Sequence, residues 1–319
     1  MLEFEIKKIA RIYRDVPAAQ VETLHRFRAA YPYKQMAINN VPWRYIAGGQ
    51  GTETVLLLPG AHGTADLAWL VLPHFADRYR VVSLSYPPVN SMAALADGIS
   101  TLLTRESIRK AHVIGGSYGG FLAQVFVRHH PDKTDKLVLS HTSPPDPRRG
   151  KRSAGALRWL TLLPMGMLQP LFRKRLAGLV PEERGGADLE LIKAQLREIV
   201  GYHLTKESII NTFRRVVEFD MNFTFTPQDL QEWPGSVLLI MSDNDPGTPE
   251  PVREAMKSLY PQAKLHIFSG TGHAAPLIKR DEYLSAIETF LASGSLPDSG
   301  GPHNKSLERT GDARTLDIA

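Results

Sequence analysis

The stretch AHVIGGSYGGFLAQ, Ala111 to Gln124, runs from an apolar segment through four glycines and a serine into a second apolar pattern. Ala111 to Ile114 carries β-branched residues and suits a buried strand. From Phe121 to His129, the residues Phe121, Leu122, Val125 and Phe126 recur at helical spacing. Between them Gly115-Gly116-Ser117-Tyr118-Gly119 fits G-x-S-x-G, a turn that holds a serine at a sharp strand-to-helix corner. Such a corner needs backbone angles and close approaches that a Cβ resists, which is why glycines flank the serine. A hydroxyl placed there sits beside a helix N-terminus, whose free N–H groups favour developing negative charge. Ser117 is therefore the candidate nucleophile. The plainer alternative is a glycine-rich loop with no chemistry.

Outward from this corner, strands and helices alternate. Lys34 to Ile38 and Val41 to Ile46 are strand candidates joined by Asn39-Asn40, a pair that tolerates a left-handed hairpin turn. Thr54 to Leu58 (TVLLL) and Tyr79 to Tyr86 are apolar strands, with helices predicted over Ala65 to Ala76 and, capped by Ser91, Ser91 to Thr104. Lys136 to His141 is the next strand, and Ser143 to Gly150 reads as a turn-rich hinge. Helical patterns alone then run from about Gly155 to Asn222, after which Ser236 to Met241, Glu250 to Leu259, Lys264 to Phe268 and Ala275 to Leu291 resume the alternation. The pattern predicts an α/β fold with a mostly parallel, doubly wound sheet and an inserted helical lid. The expected organisation is a helical extension over 1–32, a core over 33–146 and 228–293, a lid over 147–227, and a disordered tail over 294–319.

Composition narrows the chemistry. The 319 residues include no cysteine, which excludes thiol catalysis and disulfides, and 43% apolar with 22% charged residues is ordinary for a globular chain. No signal-peptide pattern opens the sequence and no segment is apolar enough to span a bilayer, so a soluble, cytoplasmic protein without stable membrane insertion is expected. The net charge is +5, yet Pro147 to Gly186 alone holds nine Lys or Arg against two acids. This basic segment reads first as a solvated face of the lid and second as a surface for peripheral membrane contact or an anionic substrate. No zinc-finger, RNP or helix-turn-helix pattern accompanies it, so no nucleic-acid partner is expected.

A serine hydroxyl needs a base, usually a histidine oriented by a buried carboxylate. Of eleven histidines, His273 lies in a small-residue loop, Gly270 to Pro276, between the last strand and last helix, at the sheet edge where parallel folds build their sites. His62 also follows a strand, and either lines the pocket or faces solvent. His112 and His141 fall within strands and are set aside. Asp245, deep in the loop Ser242 to Pro249, is the preferred carboxylate; Asp243 is assigned to local turn bonding, and Asp146 is a third, weaker choice. The Asp/Asn cluster lacks an EF-hand spacing, and neither metal nor cofactor is called for. The N–H groups of Ala61 and Tyr118 are the candidate oxyanion hole. In the lid, Trp159, Phe172 and Phe213, with neighbouring aliphatics, either shape an apolar acyl pocket or form that segment's own core.

Taken together, Pro59-Gly60-Ala61, Gly115 to Gly120, Asp243-Asn244-Asp245 and Gly272-His273 resemble the α/β-hydrolase superfamily over about Gln35 to Leu291. Leu58 to Trp69 and Gly119 to Gln124 look like its maspardin branch. The superfamily implies the hydrolase fold, a Ser117-His273-Asp245 triad and a small-molecule acyl substrate such as a carboxylic ester. Carbon–carbon or amide bonds are alternatives, and the maspardin branch adds a non-catalytic binding role. That branch's pattern lacks a histidine at the position matching His273, so its presence here points toward an enzyme. Pro59-Gly60 stands where many members have His-Gly, with only the glycine expected to be needed for backbone approach.

Overall fold

The computed structural model of the chain describes residues 11–177 and 188–293, with side chains through Lys174 in the first stretch. The first ten residues of the predicted extension, the Arg175 side chain, Glu182, Glu183, Arg184 and the tail 294–319 lie outside the described residues.

Eight strands form one sheet in the order β1-β2-β4-β3-β5-β6-β7-β8. β1 (Tyr33–Ile38) and β2 (Val41–Gly48) form the antiparallel hairpin, and Asn39 and Asn40 both take the positive φ expected of its turn. β2 also pairs antiparallel with β4 (Arg80–Ser85), while β3 (Thr54–Leu58), β5 (Ala111–Gly116), β6 (Thr134–Ser140), β7 (Ser236–Ser242) and β8 (Lys264–Phe268) continue the sheet in parallel.

Both faces of β3, β5, β6 and β7 are covered, which accounts for their nearly unbroken apolar runs, whereas the edge strand β8 leaves Leu265 and Ile267 about half exposed. In β3, Val55 and Leu57 join one core while Leu56 and Leu58 join the other. The first core takes Leu24 and Phe27 of helix α1 (Ala18–Ala30). The second takes Leu95 and Ile99 of α2 (Met92–Arg105) and Leu122 and Phe126 of α3 (Tyr118–His129). Each such side chain contributes about 1.5–3 kcal/mol on full burial. Ser91 caps α2 as predicted, accepting from the Ala94 N–H. The predicted helix over Ala65 to Ala76 is instead a 3-10 segment, Ala65–Leu70, followed by a helical turn, Leu72–Phe75. Pro73 sits at its start, where a missing N–H costs nothing.

Between β6 and β7 the described chain is helical: α4 (Pro147–Leu162), α5 (Met165–Ala177), α6 (Asp188–Glu198) and α7 (Lys206–Asn222). The expected hinge is partly helix, because Asp146 caps α4 through the Arg148 N–H and Pro147 suits the first turn. Leu160, Leu168, Phe172 and Ile209 form a small separate core here. This segment is fastened above the serine corner. Phe121 of α3 stacks on Phe219 of α7, centroids 4.6 Å apart, and buried Arg215 donates to the carbonyls of Pro87 and Val89. A second fastening ties it to the N-terminal region: Tyr13 and Arg28 both donate to the buried Glu198 carboxylate, and His203 pairs with Asp66 at 3.0 Å. Helices α8 (Glu250–Leu259) and α9 (Arg280–Ala292) complete the fold.

Candidate active site

The corner at Ser117 starts one residue after β5 ends, and α3 begins immediately, at Tyr118 rather than at Phe121. Ser117 has φ 52° and ψ −120°, an angle pair that costs a non-glycine residue strain and must be held by its surroundings. Its N–H donates to the Ser140 carbonyl at 2.9 Å, and its carbonyl accepts from Thr142 Oγ1 at 2.8 Å. A Cβ at Gly119 would lie 2.1 Å from the Leu58 carbonyl oxygen, and one at Gly115 would lie 2.4 Å from that of Gly119. The corner closes because these two positions are bare. A serine at a helix N-cap ordinarily spends its hydroxyl on the first turn. Ser117 makes no such bond, so its Oγ is left for the cavity it lines.

The loop after β7 and the loop after β8 are laced together residue by residue. Asp243 accepts from the Gly270 N–H at 2.9 Å and from Ser269 Oγ at 2.7 Å, Asn244 accepts from the Gly272 N–H at 2.8 Å, and Asp245 Oδ2 pairs with His273 Nδ1 at 2.8 Å. Asp245 is buried and also accepts from Thr248 Oγ1 and the Gly247 N–H. Burial pulls its pKa up, but the His273 bond and charge, with the Thr248 and Gly247 donors, outweigh this and hold it at about 2. With Nδ1 so engaged, Nε2 is the His273 nitrogen left for the cavity shared with Ser117.

Two cavities meet at this point. One, about 490 Å³, is lined by Ser117, Tyr118, Phe121, Phe172, Phe213 and Val216 among others. The other, about 210 Å³, is lined by His62, Leu67, Ile192, Leu196 and Leu277. Ala61, Ser117, His141 and His273 border both. Ala61 and Tyr118, the residues expected to bind the oxyanion, thus flank Ser117; Tyr118 opens α3, so its N–H has no intrahelical acceptor. His62 lines the smaller cavity, where burial lowers its pKa to about 4 against the pull of Asp66, keeping the ring neutral. A Cβ at Gly60 would meet no other atom of the chain closer than 3.7 Å.

Two further readings change. Trp159, expected at the pocket or in the segment's core, is 73% exposed and lines neither cavity, whereas Phe172 and Phe213 line the larger one and also join that segment's core. His141, set aside as a strand residue, stands just past β6 with φ 46° and projects into the site. Its two nitrogens bond Ser140 Oγ and Ser242 Oγ at 2.8 Å each, and Ser242 Oγ reaches Thr271 Oγ1 at 2.7 Å. The left-handed turn that aims His141 leaves no trace in hydropathy; its only signal was its place at a strand's C-terminal end. Far from here, at the start of β5, Glu53, His112 and Asp135 gather at metal-ligand spacing. There His112 stands 3.2 Å from Asp135 and 3.7 Å from Glu53.

Residues 55–286 match the sequence model of the alpha/beta hydrolase family. The 2-hydroxy-6-oxononadienedioate/2-hydroxy-6-oxononatrienedioate hydrolase of Paraburkholderia xenovorans (strain LB400) is 27% identical over 275 residues, 79% of this chain and 91% of that protein. Maspardin of Danio rerio is 33% identical over 124 residues, 36% of this chain and 40% of its own. Among solved structures, a hydrolase from Pseudomonas aeruginosa PA01 superposes with a TM-score of 0.68 at 19% identity, covering 82% of this chain and 99% of that one. With the family match running from β3 into α9 and the serine corner inside it, this chain belongs to the alpha/beta hydrolase family.

Proposed function

We propose that the protein is a serine hydrolase of an uncharged carboxylic ester or related acyl compound. Ser117 Oγ attacks the carbonyl, His273 Nε2 takes the proton and returns it to the leaving group, and Asp245 orients the ring and stabilises its charged form. The Ala61 and Tyr118 amides receive the oxyanion. The resulting acyl-enzyme is then cleaved by water under the same base. The observation that carries this reading is the 2.8 Å bond between His273 and a buried carboxylate, in a cavity that Ser117 also lines. The helices α4 to α7 act as the lid whose side chains select the acyl group.

A second reading, carbon–carbon bond hydrolysis, is favoured by the activity of the Paraburkholderia relative, whose coverage of this chain is broad. The cavity argues against a dicarboxylate substrate of that kind. Among the described residues, Arg149 is the only lysine or arginine lining either cavity, and its guanidinium is already bidentate on buried Asp220 at 2.6 and 2.8 Å. His62 and His141 are held neutral by burial. A dianion entering here would lose water without gaining a free cation. Comparing kcat/KM for a nitrophenyl ester series of rising acyl length with that for a 2-hydroxy-6-oxodienoate separates the two readings. Ester turnover at least a hundredfold more efficient supports the first, and the reverse ranking overturns it.

A further inference from the structure

The helices that wall the larger cavity from above carry a surface of unusual composition on their other side. Trp159 and Leu162 of α4, and Met167 and Leu171 of α5, are each more than half exposed, and they make up four of the five large apolar side chains so exposed among the described residues. On α4 the positions 148, 152, 155, 159 and 162 fall on one stripe, which reads Arg, Arg, Gly, Trp, Leu. On α5 the stripe 167, 171, 174 reads Met, Leu, Lys. The inward face of the same helices is already filled, by Leu160, Leu168 and Phe172. The outer residues are therefore surplus to packing.

Charge accompanies this apolar surface. From Pro147 to Lys174 there are seven lysines and arginines and no acid. Only Arg149 has an acidic partner among the described residues; Arg148, Lys151, Arg152, Arg158, Arg173 and Lys174 are exposed without one. A purely electrostatic surface has no use for an exposed tryptophan and three large aliphatic side chains. An ordinary apolar protein interface does not gather six unpaired cations of one sign around them. Aromatic and aliphatic side chains entering between headgroups, with cations held at headgroup level, satisfy both features. No helix among the described residues is long and apolar enough to cross a membrane, so the contact is peripheral.

We infer that the outer face of α4 and α5 is a docking surface for an anionic lipid bilayer, with Trp159 and Leu162 as the inserted anchors and the surrounding lysines and arginines on the headgroups. Phe172, on the opposite side of α5, lines the cavity of Ser117, so docking brings the cavity wall to the lipid surface. The docking itself does not depend on Ser117 being catalytic.

The test uses the full chain and vesicles of phosphatidylcholine, with or without phosphatidylserine. Of the four tryptophans, Trp43, Trp69 and Trp233 are at most 9% exposed, so a change in emission reports on Trp159. Expected are cosedimentation with the phosphatidylserine vesicles only, weakening as salt rises, and a blue shift of emission that Trp159→Phe abolishes. Arg152→Gln and Arg158→Gln should each weaken binding roughly fivefold, and Trp159→Ser with Leu162→Ser more than about tenfold. Unchanged thermal midpoints keep misfolding from imitating these losses, and Ser117→Ala should bind as the parent does. Binding that survives the Trp159/Leu162 pair of changes, with emission unshifted, overturns the proposal in favour of mere charge attraction. Failure on both vesicles together with tight binding of heparin or an acidic protein overturns it in favour of another partner. Failure with self-association that the same changes abolish assigns the surface to a second copy of this chain.

Discussion

The imidazole of His141 stands edge-on to that of His273, with ring centroids 5.7 Å apart and planes at 75°. Burial lowers the His141 pKa to about 4, the His273 charge adds to this, and Asp245 opposes it. His141 thus places a neutral ring, not a second cation, against the proposed base. Its bond to Ser242, which in turn bonds Thr271, braces the loop that carries His273. His141→Asn tolerates the positive φ but cannot span both serines. It should lower kcat about tenfold with KM little changed, because it loosens the base and leaves the cavity walls in place. An unchanged kcat contradicts this bracing role.

Asp243 and Asp245 both tie the β7 loop to the β8 loop, but only Asp245 touches the imidazole. Asp245→Asn should lower kcat about ten-thousandfold. Asp243→Asn removes contacts to Ser269 and Gly270 and should cost no more than about tenfold. Steady-state ester hydrolysis by the two variants, at matched folded concentration, checks the assignment; the opposite ranking would move the acid to Asp243.

The glycines separate into those the corner requires and one it does not. Gly119→Ala places a methyl 2.1 Å from the Leu58 carbonyl oxygen and should destabilise by about 3 kcal/mol or more. Gly60→Ala meets nothing nearer than 3.7 Å and should stay within about 0.5 kcal/mol of the parent. Urea unfolding of both variants measures the contrast.

Stability should fall on both sides of the ordinary histidine pKa of about 6.5, for different histidines. His62 and His141 have pKa values lowered by burial to about 4, so the unfolded chain binds their protons first as pH falls below about 6.5. Stability is then lost progressively between about pH 6.5 and 4. His203 is shifted the other way, chiefly by its hydrogen bond to Asp66, so its contribution is complete below the unfolded value and is lost as pH rises through the folded one. Thermal midpoints against pH should show a shallower acid-side fall in His141→Asn and a shallower alkaline-side fall in His203→Gln. Slopes identical to the parent's contradict the assignments.

Much of the fold could be read from the chain because its cues are local. Apolar strand runs, the Asn39-Asn40 turn, the Ser91 cap and the glycines at Ser117 each act within a few residues. The pairing of Asp245 with His273 was legible because both loops leave the same edge of a parallel sheet. His141 was missed because one backbone angle turns it from the strand into the cavity. Trp159 was misplaced because Trp159 and Leu162 alternate in sequence with inward Leu160, so hydropathy alone cannot say which face of α4 is buried. The clasp of Tyr13 and Arg28 on Glu198 joins residues some 170 positions or more apart, and no local pattern announces it.

Whether Ser117 is an activated nucleophile is decided by intact-mass analysis after treatment with a fluorophosphonate. One covalent adduct is expected on the folded parent, located at Ser117, absent in Ser117→Ala and strongly slowed in His273→Ala. A folded parent that takes up no label between about pH 6 and 9, where a histidine base operates, or one labelled equally after Ser117→Ala, contradicts it.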